Sequence, residues 1–110
     1  MSQVEPGSDY WLEQVNEEII DADREIIDPH HHLWRNRFGR DYLLPELWKD
    51  TGSGHNVVKT LFMECRAFYD KEAPVHLAPL GETKAIAEIA EDSKTDPSQA
   101  TIAGIVGHAD

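Results

Sequence analysis

Residues 25–34 read EIIDPHHHLW, and this segment joins an apolar stretch to a cluster of polar side chains. The β-branched pair at 26–27, with an acidic residue on each side, predicts a short strand over residues 25–28. Pro29 has no backbone N–H to donate to a neighbouring strand, so its position predicts that the strand ends there. We therefore expect the three histidines at 30–32 to follow the carboxyl end of a strand.

Two further apolar segments predict strands, residues 57–65 (VVKTLFMEC) and residues 101–108 (TIAGIVGH). The first is β-branched or apolar over most of its length, which is typical of a parallel strand buried on both faces. Residues 35–42 are polar around Gly39 and predict a loop between the first two strands.

The helices predicted from the sequence lie between and before these strands. Residues 81–94 place Ala85, Ile86, Ile89 and Ala90 on one face, with Glu82 and other charged residues elsewhere, and so predict an amphipathic helix. Residues 9–21 show similar apolar spacing and predict a second one, and residues 43–51 predict a short third. Strands that alternate with helices indicate an α/β fold with a parallel sheet.

Three parallel strands with two crossovers leave part of the sheet uncovered, and the sequence stops at a strand end. These features predict the front portion of a larger α/β domain. We expect residues 1–24 to form a helical extension and residues 25–110 to form the truncated domain.

Composition narrows the classes of function. The 110 residues carry 10 Lys and Arg against 21 Asp and Glu, and this net charge of −11 disfavours nucleic acid and anionic membranes as partners. The first seven residues contain no basic charge and no long apolar segment follows them, so we expect no secretory signal. With a single cysteine, Cys65, an internal disulfide is excluded, and a cytoplasmic location is the default expectation.

Polar side chains follow each predicted strand at its carboxyl end: Asp28, His30, His32, Glu64, Arg66, His108 and Asp110. Open α/β sheets and β/α barrels place their binding sites at this edge. Residues two apart in an extended chain point to the same side, so His30 and His32 are expected to direct their imidazoles at one point while His31 faces away.

Two converging imidazoles suit a zinc-like ion, although histidine pairs also occur as surface or packing residues. Glu64 is a candidate for a further metal ligand or for a residue that orients an imidazole. Arg66, with its fork of donors, is a candidate for binding a substrate carboxylate, and His108 is a candidate substrate-binding residue because it ends a strand. Cys65 is expected to be an inert, buried residue.

Three runs of residues resemble a known family. Residues 26–34 look like the opening signature of the amidohydrolase-related branch of the amidohydrolase superfamily, which comprises metal-dependent hydrolases of the TIM-barrel fold. Residues 62–67 and residues 104–110 are similar to the second and third barrel strands of that branch. The resemblance covers nearly the whole chain.

The resemblance implies a (β/α)8 barrel of which this chain holds the amino-terminal portion, about three strands. It implies that His30 and His32 carry the metal motif, and that a divalent ion of the zinc or manganese type activates water for attack on a lactone, ester or amide. Some relatives are decarboxylases, and some lactonases of the branch work without a metal. The expected partner is a small-molecule substrate.

The chain lacks the later barrel strands, which in the family supply further histidines and the catalytic aspartate, so no catalytic residue is assigned. We expect the 110 residues alone to lack hydrolase activity. The alternative is a catalytically inactive barrel fragment that acts only through protein–protein association, including association with a second copy. A stand-alone three-stranded binding module is a third interpretation.

Overall fold

The computed structural model describes residues 6–109 of the chain. Its helices and strands, in chain order, are α1 (Asp9–Leu12), β1 (Glu25–His31), β2 (Trp34–Arg37), β3 (Arg40–Tyr42), α2 (Leu44–Thr51), β4 (Asn56–Met63), α3 (Leu80–Ser93) and β5 (Thr101–Val106). A single 3-10 turn, Val75–Leu77, lies between β4 and α3. Within residues 6–109, no helix has the length and apolarity needed to cross a membrane.

A parallel sheet in the order β1-β4-β5 forms the centre of the structure. In its register Glu25 lies beside Asn56, and Met63 lies beside Val106. Since all three strands run the same way, their carboxyl ends meet at one edge of the sheet. The α/β class and the three-stranded parallel sheet are confirmed, and the described residues close no barrel.

The hydrophobic core lies between one face of this sheet and the helices α2 and α3. Its buried members are Leu33, Leu47, Phe62, Ile86, Ala90 and Ile102. Burying a large apolar side chain of this kind stabilises the fold by about 1.5–3 kcal/mol. In β4, Thr60 and Phe62 are buried while Leu61 and Met63 are half-buried, so the strand is covered more fully on one face than on the other.

Helix α3 matches its prediction to within one residue at each end. It packs on the sheet because apolar side chains recur at helical spacing along its inner face. Ser93 near its carboxyl end fastens it to β5, since the Ser93 hydroxyl donates to the carbonyl of Ala90 at 2.6 Å and accepts the N–H of Ile102 at 3.0 Å.

The predicted helix over residues 9–21 is wrong beyond Leu12. The structure has only one turn, Asp9–Leu12, with the Ser8 hydroxyl accepting from the N–H of Trp11. Val15 is 70% exposed and Ile20 is 99% exposed, so within residues 6–109 most of the apolar stripe has no surface on which to pack. Helical spacing without tertiary burial does not sustain a short helix in water.

The first strand is longer than predicted. It continues through Pro29 to His31, with a register shift against β4 between Asp28 and His31. Within residues 6–109, β1 pairs with β4 alone, so Pro29 lies on an edge strand of the described sheet, where a missing N–H is tolerated.

The predicted loop over residues 35–42 is instead a hairpin of β2 and β3. Phe38 and Gly39 at its turn have φ values of 56° and 76°, and two positive φ angles are what a tight two-residue hairpin turn requires. Trp34 stacks on Tyr42 across the hairpin, with ring centroids 5.0 Å apart. The prediction failed because Phe-Gly is not one of the usual dipeptide signals for this turn.

Candidate functional site

His30 and His32 at the end of β1 bring their imidazoles together, as strand alternation predicts. Their Nε2 atoms lie 3.3 Å apart, and the two rings meet edge to face with centroids separated by 5.0 Å. His30 is exposed and His32 is half-buried, so the pair opens to solvent on one side.

The neighbouring strand orients the ring of His32. Its Nδ1 lies 2.9 Å from the carbonyl oxygen of Met63, which ends β4. A carbonyl only accepts, so Nδ1 carries the hydrogen and donates it, and in the neutral ring Nε2 keeps a lone pair that can accept a hydrogen bond or bind a metal. Asp28 acts on the backbone instead, because its Oδ1 accepts the N–H of His30 at 3.1 Å.

His31 faces the opposite side of the sheet, as predicted. Its Nε2 lies 3.0 Å from the hydroxyl of Thr60, and its ring meets Phe62 edge to face. Nδ1 of His31 is buried without a hydrogen-bond partner among residues 6–109. Burial lowers the pKa of His31 below 6.5, which keeps the imidazole neutral. The middle histidine is therefore a packing residue.

The separation of the two Nε2 atoms fits a metal-binding pair. Two imidazole nitrogens that bind one tetrahedral zinc at 2.0–2.1 Å lie about 3.3 Å apart, and this is the distance observed between His30 and His32. A histidine ligand that donates its other N–H to a backbone carbonyl is the usual arrangement in such sites, and His32 has it. Within residues 6–109, no group of three His, Cys, Asp or Glu side chains is gathered to hold an ion, so this pair supplies two ligands.

Glu64, the predicted third ligand, lies beside His108 instead. Its Oε2 is 3.4 Å from Nδ1 of His108, and both side chains are nearly half exposed. The backbone N–H of Glu64 donates to the carbonyl of Val106 at 2.9 Å, which continues the pairing of β4 with β5. The structure thus joins the ends of the second and third strands of the sheet through Glu64 and His108.

A cavity of about 470 Å3 connects Glu64 and His108 with the end of β1. His30, Glu64 and His108 all line it. The predicted candidates at the three strand ends therefore share one opening at the carboxyl edge of the sheet. Asp110, also named as a candidate, lies outside the described residues.

Sequence reasoning missed Glu82, the most buried acidic side chain among residues 6–109. The sequence pattern places it away from the apolar face of α3, yet its side chain is only 1% exposed. Its Oε2 accepts the backbone N–H of Cys65 at 3.2 Å and that of Ala67 at 2.7 Å. The spacing of the buried residues on α3, Glu82, Ile86, Ala90 and Ser93, was the available signal, since it places Glu82 on the inner face.

These contacts organise the 64–70 loop, the segment of residues 64–70 that follows β4. Arg66 and Phe68 within it have φ values of 61° and 60°, a left-handed conformation that is uncommon for residues other than glycine. Gly81 of α3 lies against the same loop, and a Cβ added there would be 2.5 Å from the carbonyl oxygen of Phe68. The first turn of α3 therefore holds the loop, and Arg66 with it, in place.

Cys65 lies in this loop and is half-buried, so it is less buried than the sequence predicts. Burial, followed by the nearby carboxylate of Glu82, raises the pKa of the Cys65 thiol. The sulfur lies 3.5 Å from the carbonyl oxygen of Leu33 and 3.7 Å from Oε2 of Glu82, both of which accept from a thiol. A protonated thiol is a poor nucleophile.

Comparisons with protein-family models, with curated proteins and with solved structures find no significant match. The family resemblance carried by residues 26–34, 62–67 and 104–110 therefore stays a prediction.

Proposed function

We propose that this chain is the amino-terminal part of a metal-dependent hydrolase related to the amidohydrolases. In this proposal β1, β4 and β5 correspond to the first three strands of a (β/α)8 barrel. The support is architectural: the strands are parallel neighbours in chain order, a helix connects the last two, and polar side chains gather at their carboxyl ends.

One observation carries the proposal, the 3.3 Å separation of the two Nε2 atoms of His30 and His32. We assign these two nitrogens as ligands of a divalent ion of the zinc or manganese type. When bound, such an ion lowers the pKa of a water molecule and polarises the carbonyl of a lactone, ester or amide.

The remaining residues of the site have positioning roles in this proposal. The carbonyl of Met63 fixes the ring of His32, and the carboxylate of Asp28 fixes the backbone at His30. The contact between Glu64 and His108 places both side chains in the cavity that His30 lines. A substrate that occupies this cavity is thereby placed beside the histidine pair.

Zinc binding by the full 110-residue chain tests the assignment. We expect competition with a chromophoric chelator to give one zinc per chain, and His30→Ala or His32→Ala to weaken binding by more than about 100-fold. His76→Ala is the matched control, since His76 is an exposed histidine in the 3-10 turn. Unchanged zinc affinity in the double variant of His30 and His32 would refute the metal site.

A second candidate function is association without catalysis. Within the described residues, β1 and β5 each pair with β4 alone, so each leaves one edge unpaired, and such edges favour the addition of further strands. Ile27 on β1 is 59% exposed and Val106 on β5 is 47% exposed, which adds apolar surface at both edges. Sedimentation velocity over a range of concentrations tests this candidate: a mass that rises with concentration favours it, and a constant monomer mass opposes it.

A further inference from the structure

A second cavity, of about 300 Å3, lies beside the 64–70 loop and has an unusual lining for this chain. Arg66, Tyr69, Val75, Pro79 and His108 line it, and none of them carries a carboxylate. The chain as a whole has 21 acidic residues and a net charge of −11. Arg66, Tyr69 and His108 also line an adjoining cavity of about 360 Å3 together with Glu64 and Cys65. The guanidinium, phenol and imidazole of the three shared residues are groups that donate hydrogen bonds to an anion.

The backbone around Arg66 is held in a conformation that costs free energy. A non-glycine residue with a left-handed φ such as the 61° of Arg66 costs on the order of 1 kcal/mol, and such residues cluster at ligand sites. The N–H groups on both sides of Arg66, those of Cys65 and Ala67, donate to the same buried oxygen of Glu82. Glu82 of α3 thus fixes the position of Arg66 at the cavity.

The two nearby carboxylates have partners of their own. Oε2 of Glu64 faces His108 at 3.4 Å, and Oε2 of Glu82 accepts the two loop N–H groups. Within residues 6–109, no carboxylate forms an ion pair with the guanidinium of Arg66. The fork of donors on Arg66 is therefore open to a ligand in the cavity.

Tyr69 supplies a second donor. Desolvation, followed by the carboxylates of Glu82 and Glu64, raises the pKa of the Tyr69 phenol above its ordinary value of 10.0. The phenol is therefore protonated at neutral pH and donates its hydrogen, while the guanidinium of Arg66 matches a carboxylate with two parallel N–H groups.

We propose that this cavity binds a carboxylate group, with Arg66 as its main ligand and Tyr69 as a second donor. The inference rests on the proposed function and names its substrate class, a lactone, ester or amide that also carries a carboxylate. His108 lines both this cavity and the one shared with His30, so the two are adjacent. The carboxylate lies at the Arg66 end, and the bond to be hydrolysed lies at the His30 end.

The test uses malonate as a carboxylate probe and malonamide as its uncharged counterpart. Each is titrated into the isotope-labelled full chain in the presence of 1,10-phenanthroline, a metal chelator without carboxylates, and backbone N–H signals are followed by NMR. We expect saturable shifts at Arg66 and Tyr69 with malonate and none with malonamide. Arg66→Gln weakens malonate binding at least about tenfold, and Arg66→Lys weakens it less, because lysine keeps the charge without the fork.

Arg35→Gln is the matched control, since Arg35 is an exposed arginine on β2 with only a 3.9 Å contact to Asp41. It leaves malonate binding unchanged. Equal binding of malonamide, the absence of saturable shifts, or unchanged affinity in Arg66→Gln overturns the proposal. The dispersion of the same spectra verifies that each variant is folded.

The chelator separates this inference from the metal site. If zinc binding fails while malonate still binds at Arg66, the hydrolase proposal falls and the carboxylate site stands. If zinc binds and malonate does not, the metal site stands and the substrate class is wrong.

Discussion

The ends of β1 and β4 lie side by side at one edge of the sheet, yet their side chains are placed by different means. At the end of β1, His30 and His32 converge because strand alternation puts them on the same side. At the end of β4, Arg66 is placed by a loop with left-handed residues that depends on Glu82, 15 to 17 residues away along the chain from the amides it accepts. The first arrangement is local and the second is tertiary, so the two respond differently to mutation.

Replacement of Glu82 is expected to have the largest effect. Glu82→Ala leaves the N–H of Ala67 buried, and that of Cys65 half-buried, without an acceptor. A fully buried group of this kind costs about 1–3 kcal/mol. We expect the free energy of unfolding, measured by urea denaturation, to fall by about 2–4 kcal/mol. Glu82→Gln keeps an acceptor oxygen and is expected to lose less.

The matched change at the end of β1 is His30→Ala, which removes an exposed side chain. It is expected to change the free energy of unfolding by less than about 0.5 kcal/mol. A loss equal to that of Glu82→Ala would contradict the distinction between a local and a tertiary arrangement.

Gly81→Ala comes next in size. The new Cβ would lie 2.5 Å from the carbonyl oxygen of Phe68 and 2.6 Å from the backbone nitrogen of Asp70, and neither can yield without moving the loop. We expect a loss of about 1–3 kcal/mol in the same denaturation experiment. An unobstructed helical glycine would gain about 1 kcal/mol from alanine, so a gain in stability would show that α3 does not press on the loop.

A smaller effect is expected from pH, through His31 on the buried face of β1. Burial lowers the pKa of His31 in the folded chain below 6.5, so the unfolded chain binds the proton more readily. Above pH 6.5 the neutral ring makes its full contribution to the free energy of unfolding. That contribution is lost as the pH falls from 6.5 through the lower pKa that His31 has in the folded chain. Thermal unfolding between pH 8 and pH 5 is expected to show a decreasing Tm.

Two variants identify the group that causes Tm to decrease between pH 8 and pH 5. In His31→Gln, Tm falls less over this pH range, because the buried titrating group has been removed. His30→Gln, on the exposed face of the same strand, retains it. Equal slopes in both variants would assign the pH dependence to another group.

The smallest effect concerns Arg66 itself. Arg66→Gly relieves the left-handed backbone and is expected to raise the free energy of unfolding by about 0.5 kcal/mol. Arg35→Gly, in the extended backbone of β2, is the control and is expected to lower it by about 0.5–1 kcal/mol. A loss of stability in Arg66→Gly would show that the arginine side chain contributes more to folding than its backbone conformation costs.

The sequence predicts those parts of the structure that depend on local periodicity. The helix α3, the strands β4 and β5 and the convergence of His30 with His32 all follow from the spacing of residues. Residues 9–21 have the same kind of spacing and still fail to form a long helix, because burial decides whether an apolar stripe is stable. Glu82 was missed although its spacing from Ile86 and Ala90 places it on the inner face of α3, because a carboxylate is expected on the outer side of a helix.

The cavity at Arg66 has a consequence for the speed of ligand encounter. A dianion approaching a chain of net charge −11 is repelled at long range and attracted only at close contact by the guanidinium. At about 0.15 M ionic strength the Debye length is about 8 Å, so added salt screens the long-range repulsion more than it screens the close contact with the guanidinium. We therefore expect the association rate constant of malonate to rise with salt, the reverse of the dependence shown by ligands that a protein's field draws in.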